Sequence, residues 1–536
     1  MSPVRILHNA TIHTLNPQQP AAHAIALDYG HNHLGRVLAL GELDELRAEF
    51  PRAEMEDLRG AILLPGLTDA HIHLQHYAFA LQMVDCDTPT RDACLAAVAA
   101  KAAETKAGEW IRGHGWRQND WPEGFGNAAM LDQAAPDNPV YLSAASLHAG
   151  WANSAALQFA GIDDSTPDPP NGKIQRDEHG QATGILFEEA MGLVEDAIPR
   201  ATQSQIAEAI ATAQRELWRL GLTGLHNFDR RSSFVALQTL RAEKRLGLRT
   251  VSHIPVERLE HAIEAGLQSG FGDDVLRVGM VKVFADGALG PRTAAMLEPY
   301  AGEPENRGML FVDSEELFEI AQRAADGGLG MTVHAIGDRA NHEVLNAFEQ
   351  LRDYEMTRGL PALRHRIEHV QVLHPDDMER LGKLGVIASM QAIHQPADMV
   401  AADTYWGERA AYSYAWKAQL EAGAVLALGS DAPVETPNPF LGLHAAVTRR
   451  RLDGSPGPDG WQPEQRLTLD EALRGYTQGP AYAAGMEARL GRLAPGYLAD
   501  LIVLAQDPYE ISADELAGLK PNATMVGGDW VWRAGD

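Results

Sequence analysis

The stretch "LLPGLTDAHIHLQHY", residues 63 to 77, places His71 and His73 two apart behind an apolar run and a Pro-Gly. In an extended strand, residues two apart share one face at roughly 6.6 Å. Two imidazoles so placed can lean onto one divalent cation, each nitrogen at about 2.0–2.1 Å. The spacing alone is weak evidence, because 21 His in this chain give roughly one His-x-His by chance. A second pair does occur, His31 and His33 in "LDYGHNHLGRV". It lies between Gly30 and Gly35 and reads as a surface hairpin turn.

The first pair has company. Lys282 in "GMVKVFADG", His334 in "MTVHAIGD", His369 in "RIEHVQV" and Asp431 in "LALGSDAPV" each stand in or at the end of a short β-rich run. Each has an ordinary explanation when taken alone. A histidine on an apolar strand is most often a satisfied core residue. An aspartate in "GSDAP" suits an Asx-turn or a helix cap. A lysine in an apolar strand calls for a buried ion pair. Those explanations weaken together if one architecture brings all six positions to one rim, where they would form a metal centre.

The elements supply that architecture. Eight β-rich runs recur: "LLPGLTDAHIH", "GLTGLHNF", "LRTVSHIPV", "VGMVKVFADG", "GMTVHAIGD", "HRIEHVQV", "GVIASMQA" and "AVLALGSDAPV". Helical stretches fall between several of them. In "SQIAEAIATAQRELWRLG", residues Ile206, Ile210, Ala213, Leu217 and Leu220 mark one helix face, ended by Gly221. Strands alternating with helices predict an α/β fold, a (β/α)8 TIM barrel, whose active site sits at the C-terminal ends of its strands. Both ends of the chain read as short strands, and they predict one small β-sandwich from residues 1–64 and 485–536. The barrel takes residues 65–85 and 201–484. Residues 86–200, between the first and second barrel strands, read as an inserted α/β subdomain expected to cover the barrel mouth.

Composition narrows the function classes. Acidic residues number 73 against 45 basic, a net charge of −28, so phosphate backbones are repelled and nucleic acid is an unfavourable partner. Cys86 and Cys94 are the sole cysteines, which builds neither a disulfide framework nor a zinc ribbon. The opening "MSPVRILHNATIHTL" lacks the apolar core of a signal peptide, and no apolar run is long enough to span a membrane. A cytoplasmic enzyme acting on a small molecule is the expectation. Neither GxxxxGK[ST] nor Gly-x-Ser-x-Gly is present, so phosphate-loop and serine-elbow chemistry have no foothold.

"GLTDAHIH", the strand-four Lys282, the strand-five His334, the strand-six His369 and "GSD" together resemble the amidohydrolase superfamily of metal-dependent hydrolases. "GHGWRQNDW", "SLHAGWANSAAL", "VKVFADGALGPRTAAM", "HAIGDRA", "RIEHVQ" and "NPFLGLHAAVTR" resemble its amidohydrolase-3 branch, which includes N-substituted formamide deformylases and YtcJ-like proteins. "RLGRLAPGYLADLIVL" is similar to the family's strand after the barrel. The resemblance implies two divalent metal ions, with zinc the expected metal. It implies that His71, His73 and Asp431 hold one ion and His334 and His369 the other, with an N-carboxylated Lys282 bridging them. A water shared by two dications ionises near neutral pH and attacks a carbonyl. Asp431 is then the catalytic proton carrier to the leaving nitrogen. The expected reaction is hydrolysis of a C–N bond through a metal-bridging hydroxide, with an N-substituted formamide or N-acyl amide as substrate. Carbamate or ester hydrolysis would use the same site. Deamination of a cyclic amidine on one metal is the rival, and Lys282 counts against it. Trp116 and His148 in the insertion, and Asp286 and Arg292 after strand four, are candidate substrate contacts. Trp116, Trp121 and Trp151 read equally well as core, and Asp286, Arg292 and Asp338 as loop ion pairs. A homodimer is the expected assembly.

Overall fold

The computed structural model describes residues 3–30, 32–117, 121–146 and 148–535. Eight strands pair in simple sequence order, each parallel to the next. They are β1 (Leu67–Ile72), β2 (Leu222–Asn227), β3 (Arg249–Pro255), β4 (Leu276–Phe284), β5 (Met331–Ala335), β6 (Arg366–His369), β7 (Ile387–Met390) and β8 (Leu426–Leu428). Seven lie inside the runs read from sequence, and β4 starts two residues earlier than its run, at Leu276. The helix Gln203–Arg219 delivers β2: Ile206, Ile210, Ala213 and Leu217 are buried. Gly221 then turns the chain with a φ of 85°.

The seam between β8 and β1 closes the barrel. Ile72 bridges Ala432 in parallel. Asp431 N–H donates to the His71 carbonyl at 2.7 Å, and His73 N–H donates to the Ala432 carbonyl at 2.9 Å. Gly429 permits the approach, since a Cβ there would meet His71 N at 2.5 Å. Buried Asp69 clamps both strands, accepting from Ser430 N and His71 N at 3.0 Å and from Ser430 Oγ at 2.5 Å.

Both ends of the chain build the sandwich-like domain on one seven-stranded sheet. The strand Glu54–Pro65, which feeds β1, pairs with Val4–His13 on one side and Leu501–Leu504 on the other. Successive residues of this sheet enter different cores: Ile6 packs with Ala24 and Leu46, while Leu7 packs with Ile25 and Leu63. The buried Arg249 of β3 locks barrel to sheet. Its guanidinium grips Asp500 with Nε at 2.5 Å and Nη2 at 2.6 Å. Asp500 is the aspartate of "GYLAD", so that signature residue is an interdomain lock. His31 lies outside the described residues. His33 is not the surface residue expected: its ring is 18% exposed beside Asp529, and its carbonyl accepts from Arg249.

Residues 78–202 form a compact unit of their own. Its six-stranded sheet begins with Val84–Asp85, paired to Gly113 and His114. The pairing puts residues 84 and 85, just ahead of residue 86, in this sheet. Among the described residues, no helix is long and apolar enough to cross a membrane.

Removing one member of the Arg249–Asp500 pair strands a buried charge. Asp500→Ala is expected to cost about 3–5 kcal/mol in equilibrium denaturation, and an Arg249→Met/Asp500→Leu double variant to recover most of it. A single variant as stable as the parent would show that the pair does not join the domains.

Candidate metal centre

The seam sets the first part of the site. His71 and His73 end β1, and the hydrogen bonds across to residues 431 and 432 bring the Asp431 carboxylate over both rings. Asp431 Oδ1 lies 3.5 Å from His71 Nε2 and 3.4 Å from His73 Nε2. Asp431 sits at φ 61° and His369 at φ 75°, in the left-handed region that costs a non-glycine residue about 1–3 kcal/mol. Surrounding hydrogen bonds hold this strain and turn both side chains into the mouth. Ligand atoms of His71, His369 and Asp431 fall within 4.8 Å of one another. The His334 ring stands 4.5 Å from that of His369, edge to face. Lys282 Nζ lies 4.8 Å over the ring of Phe228, which itself stacks on His71 at 3.8 Å. All six positions read from sequence therefore gather at one rim.

The outer nitrogens decide how these imidazoles can bond. His71 Nδ1 meets Glu368 Oε2 at 2.6 Å, His369 Nδ1 meets Gln391 Oε1 at 2.8 Å, and His334 Nε2 meets the Gly287 carbonyl at 2.8 Å. These acceptors assign an N–H to each of those atoms. The lone pairs are then left on His71 Nε2, His369 Nε2 and His334 Nδ1. Metal-ligating histidines characteristically tie their second nitrogen in this way. Burial holds His71 down at about 4 and His334 at about 3, and keeps His369 well below the usual range, so all three are neutral donors. His73 differs: burial opposes its charge, but hydrogen bonds to Asp229 and Asp431 outweigh it and raise it to about 9. Asp431 is ionised despite burial, because His71 and His73 face it. Neutral imidazoles with fixed tautomers and one carboxylate are the donor set a divalent cation takes, and the residues fit.

Lys282 is buried, and burial lowers its amine to about 8 against the pull of Glu368 and Asp431. Among the described residues it has no ion-pair or hydrogen-bond partner, and it lies between the ring faces of Phe228 and Phe284, 4.6 Å from the latter.

A second layer was not anticipated. Glu368, fully buried, takes His71 on one oxygen and Thr332 Oγ1 on the other at 2.5 Å. Arg366 bonds both oxygens of Glu368 as well as the Ala70 carbonyl and Ser389 Oγ, and its Nη1 reaches His226 Nδ1 at 2.8 Å. Burial works against the Glu368 charge, and Arg366 overcomes it. Asp229 performs the corresponding service at the rim, where His73 Nδ1 is 3.6 Å and His76 Nδ1 2.5 Å away. The available signal was "RIEH": an arginine and a glutamate two apart in an apolar strand must both point into the barrel, and so must pair.

The candidate substrate contacts fare differently. Trp116 is corrected to core: it is 1% exposed, packs with Trp121 and Trp151, and spends its indole N–H on the Leu142 carbonyl at 3.0 Å. Asp286 is likewise a loop anchor. Its buried carboxylate accepts from Ala295 N, Ile336 N and Gly337 N at 2.9, 3.0 and 2.8 Å, leaving no face for substrate. Asp338 caps the same loop through Leu297 N at 2.8 Å. Arg292 pairs with Glu303. His148 is exposed and pairs with Glu188 at 2.9 Å.

Glu368→Gln removes the charge that fixes the His71 tautomer. Competition with a chromophoric chelator is expected to show metal affinity lowered about 10–100-fold. Unchanged affinity would assign Glu368 to packing alone.

Comparison with known proteins agrees with this geometry. The model of the Amidohydrolase family matches residues 54–532. YtcJ of Bacillus subtilis (strain 168), named as an amidohydrolase, is 33% identical over 98% of this chain and 99% of its own. N-substituted formamide deformylase of Arthrobacter pascens is 29% identical over 97% of this chain and 96% of its own. A solved structure, an uncharacterized metal-dependent hydrolase from Pyrococcus furiosus, matches with a TM-score of 0.77 and 29% identity, covering 95% of this chain and 100% of that one. The strand-borne imidazoles, the seam aspartate and these likenesses place the chain in the amidohydrolase family, in its amidohydrolase-3 branch.

Proposed function

We propose that the protein hydrolyses the C–N bond of a small amide, with N-substituted formamides and N-acyl amines as the substrate class. One observation carries the reading: an ionised Asp431 facing His71 and His73, beside neutral imidazoles whose lone pairs point inward. His71, His73 and Asp431 would hold one divalent cation, and His334 and His369 the other, with zinc the expected metal. Such a pair, when bound, polarises a carbonyl and eases the ionisation of water. Asp431 takes a proton from the attacking water and returns it to the leaving nitrogen. The arrangement of Lys282 suits carboxylation: its amine nitrogen bonds the carbon of carbon dioxide and releases a proton. A buried amine without a direct ion-pair partner would thereby become an anion with two donor oxygens near the histidines. The compact trio His71, His369 and Asp431 gives some weight to a second reading, a single-metal deaminase of a cyclic amidine.

Metal content separates the two readings. Two equivalents of metal in the wild type, with at most one in Lys282→Ala, are expected from elemental analysis. One equivalent in both would favour the deaminase. Asp431→Asn is expected to lower kcat by about 10²–10⁴-fold while retaining metal; turnover near the wild-type rate would remove Asp431 from the proton path. A panel of N-formyl, N-acyl, carbamate and ester substrates is expected to show turnover first on the N-substituted formamides.

A further inference from the structure

The end of the barrel away from the metal centre, where its strands begin, holds a cavity. It encloses about 340 Å³, part of it open to solvent. Thr68 of β1, Arg249 of β3 and Arg277 of β4 line it, each at or next to the start of its strand. Val251, Val275 and Met486, all buried, give it an apolar wall. A second cavity shares Thr68 and Arg249 with the first and is lined by Arg492 as well.

Charge at this floor is unbalanced. Arg249 is spent on Asp500, Arg489 on Asp274 with Nη1 at 2.5 Å, and Arg241 on Asp273 with Nη2 at 2.7 Å. Each of those carboxylates is therefore taken. Arg277 and Arg492 are left over. Neither has an ion-pair or hydrogen-bond partner among the described residues, and the Nε of each is buried. Buried guanidinium N–H groups ordinarily find an acceptor. In a chain whose net charge is −28, acidic residues to supply one are plentiful. Two arginines without one, on adjoining cavities, point to an acceptor that comes from outside. His226 also lines the first cavity, and its Nδ1 accepts from Arg366 Nη1 at 2.8 Å, which leaves its own N–H on Nε2. That bond joins the floor to the network that holds Glu368 and His71. A planar guanidinium matches a carboxylate with two parallel bonds, and the apolar wall matches a short alkyl chain.

We propose that the floor of the barrel binds a short-chain aliphatic monocarboxylate, its head on Arg277 and its alkyl chain on Val251, Val275 and Met486. The site does not depend on the C–N hydrolysis reading. Its test is isothermal titration of the metal-loaded full chain with butyrate at constant ionic strength, with butyramide as the uncharged counterpart. Butyrate held at the metal centre would appear equally in every variant, so the floor site is the binding that is lost with Arg277. Arg277→Met is expected to weaken that binding at least about 10-fold, and butyramide to bind at least about 10-fold more weakly than butyrate. Ala484→Leu, which fills the cavity and leaves its charge in place, is expected to weaken butyrate binding as well. Because Arg277 has no partner within the protein, Arg277→Met should melt no lower than wild type in the absence of butyrate, and only the wild type should gain Tm when butyrate is added. Equal butyrate affinity in wild type and Arg277→Met, butyramide bound as tightly as butyrate, or a wild type that binds no butyrate overturns the proposal. If Arg277→Met does not fold, Ala484→Leu decides: unchanged butyrate affinity there overturns the site.

Discussion

A closed parallel barrel has one joint that sequence order cannot supply, the meeting of its last strand with its first. Here that joint is short. β8 spans only Leu426–Leu428, and closure passes to the residues beyond it. Asp69 receives the Ser430 hydroxyl and two backbone N–H groups, while Asp431 and His73 exchange backbone bonds with the facing strand. The same few bonds that close the sheet thus set the distance between the His71 and His73 rings and the Asp431 carboxylate. Fold and site share one constraint, and Gly429 is its steric condition, because any side chain there would collide with His71 N.

Behind the seam lies a buried layer with its own logic. A cation site needs imidazoles that are neutral and correctly tautomeric before the metal arrives. Glu368 achieves this for His71, at the risk of placing a carboxylate in a dry interior. Arg366 removes that risk by bonding both of its oxygens, while its Nη2 also reaches Ser389 Oγ and the Ala70 carbonyl and its Nη1 reaches His226. The layer is satisfied bond by bond, as a buried network must be to avoid uncompensated desolvation. Beside His369, Gln391 Nε2 and His394 Nε2 have no hydrogen-bond partner among the described residues.

The loop after β4 shows the same division at larger scale. Asp286 gathers three N–H groups from two other segments and fixes the mouth where the His334 carbonyl partner, Gly287, must stand. The backbone around His334 is thereby held by hydrogen bonds, while the Phe284 side chain stays half-exposed beside it.

Periodicity and motif made the barrel, its eight strands, the helix Gln203–Arg219 and the six positions that gather at the mouth legible, because each depends on local alternation or on position at a strand end. Trp116 and Asp286 misled for a common reason: an aromatic or a carboxylate in a glycine-rich loop has the same sequence signature whether it faces solvent, substrate or core. Glu368, Arg366 and Asp69 went unread because their meaning lies in partners many residues away. The sequence by itself determined which residue types stand at the strand ends, and with them the chemistry. Only the tertiary structure decided which nitrogen of each imidazole is free and which buried atoms are left unpaired, since a hydrogen bond is a relation between distant segments and no single stretch encodes both of its ends.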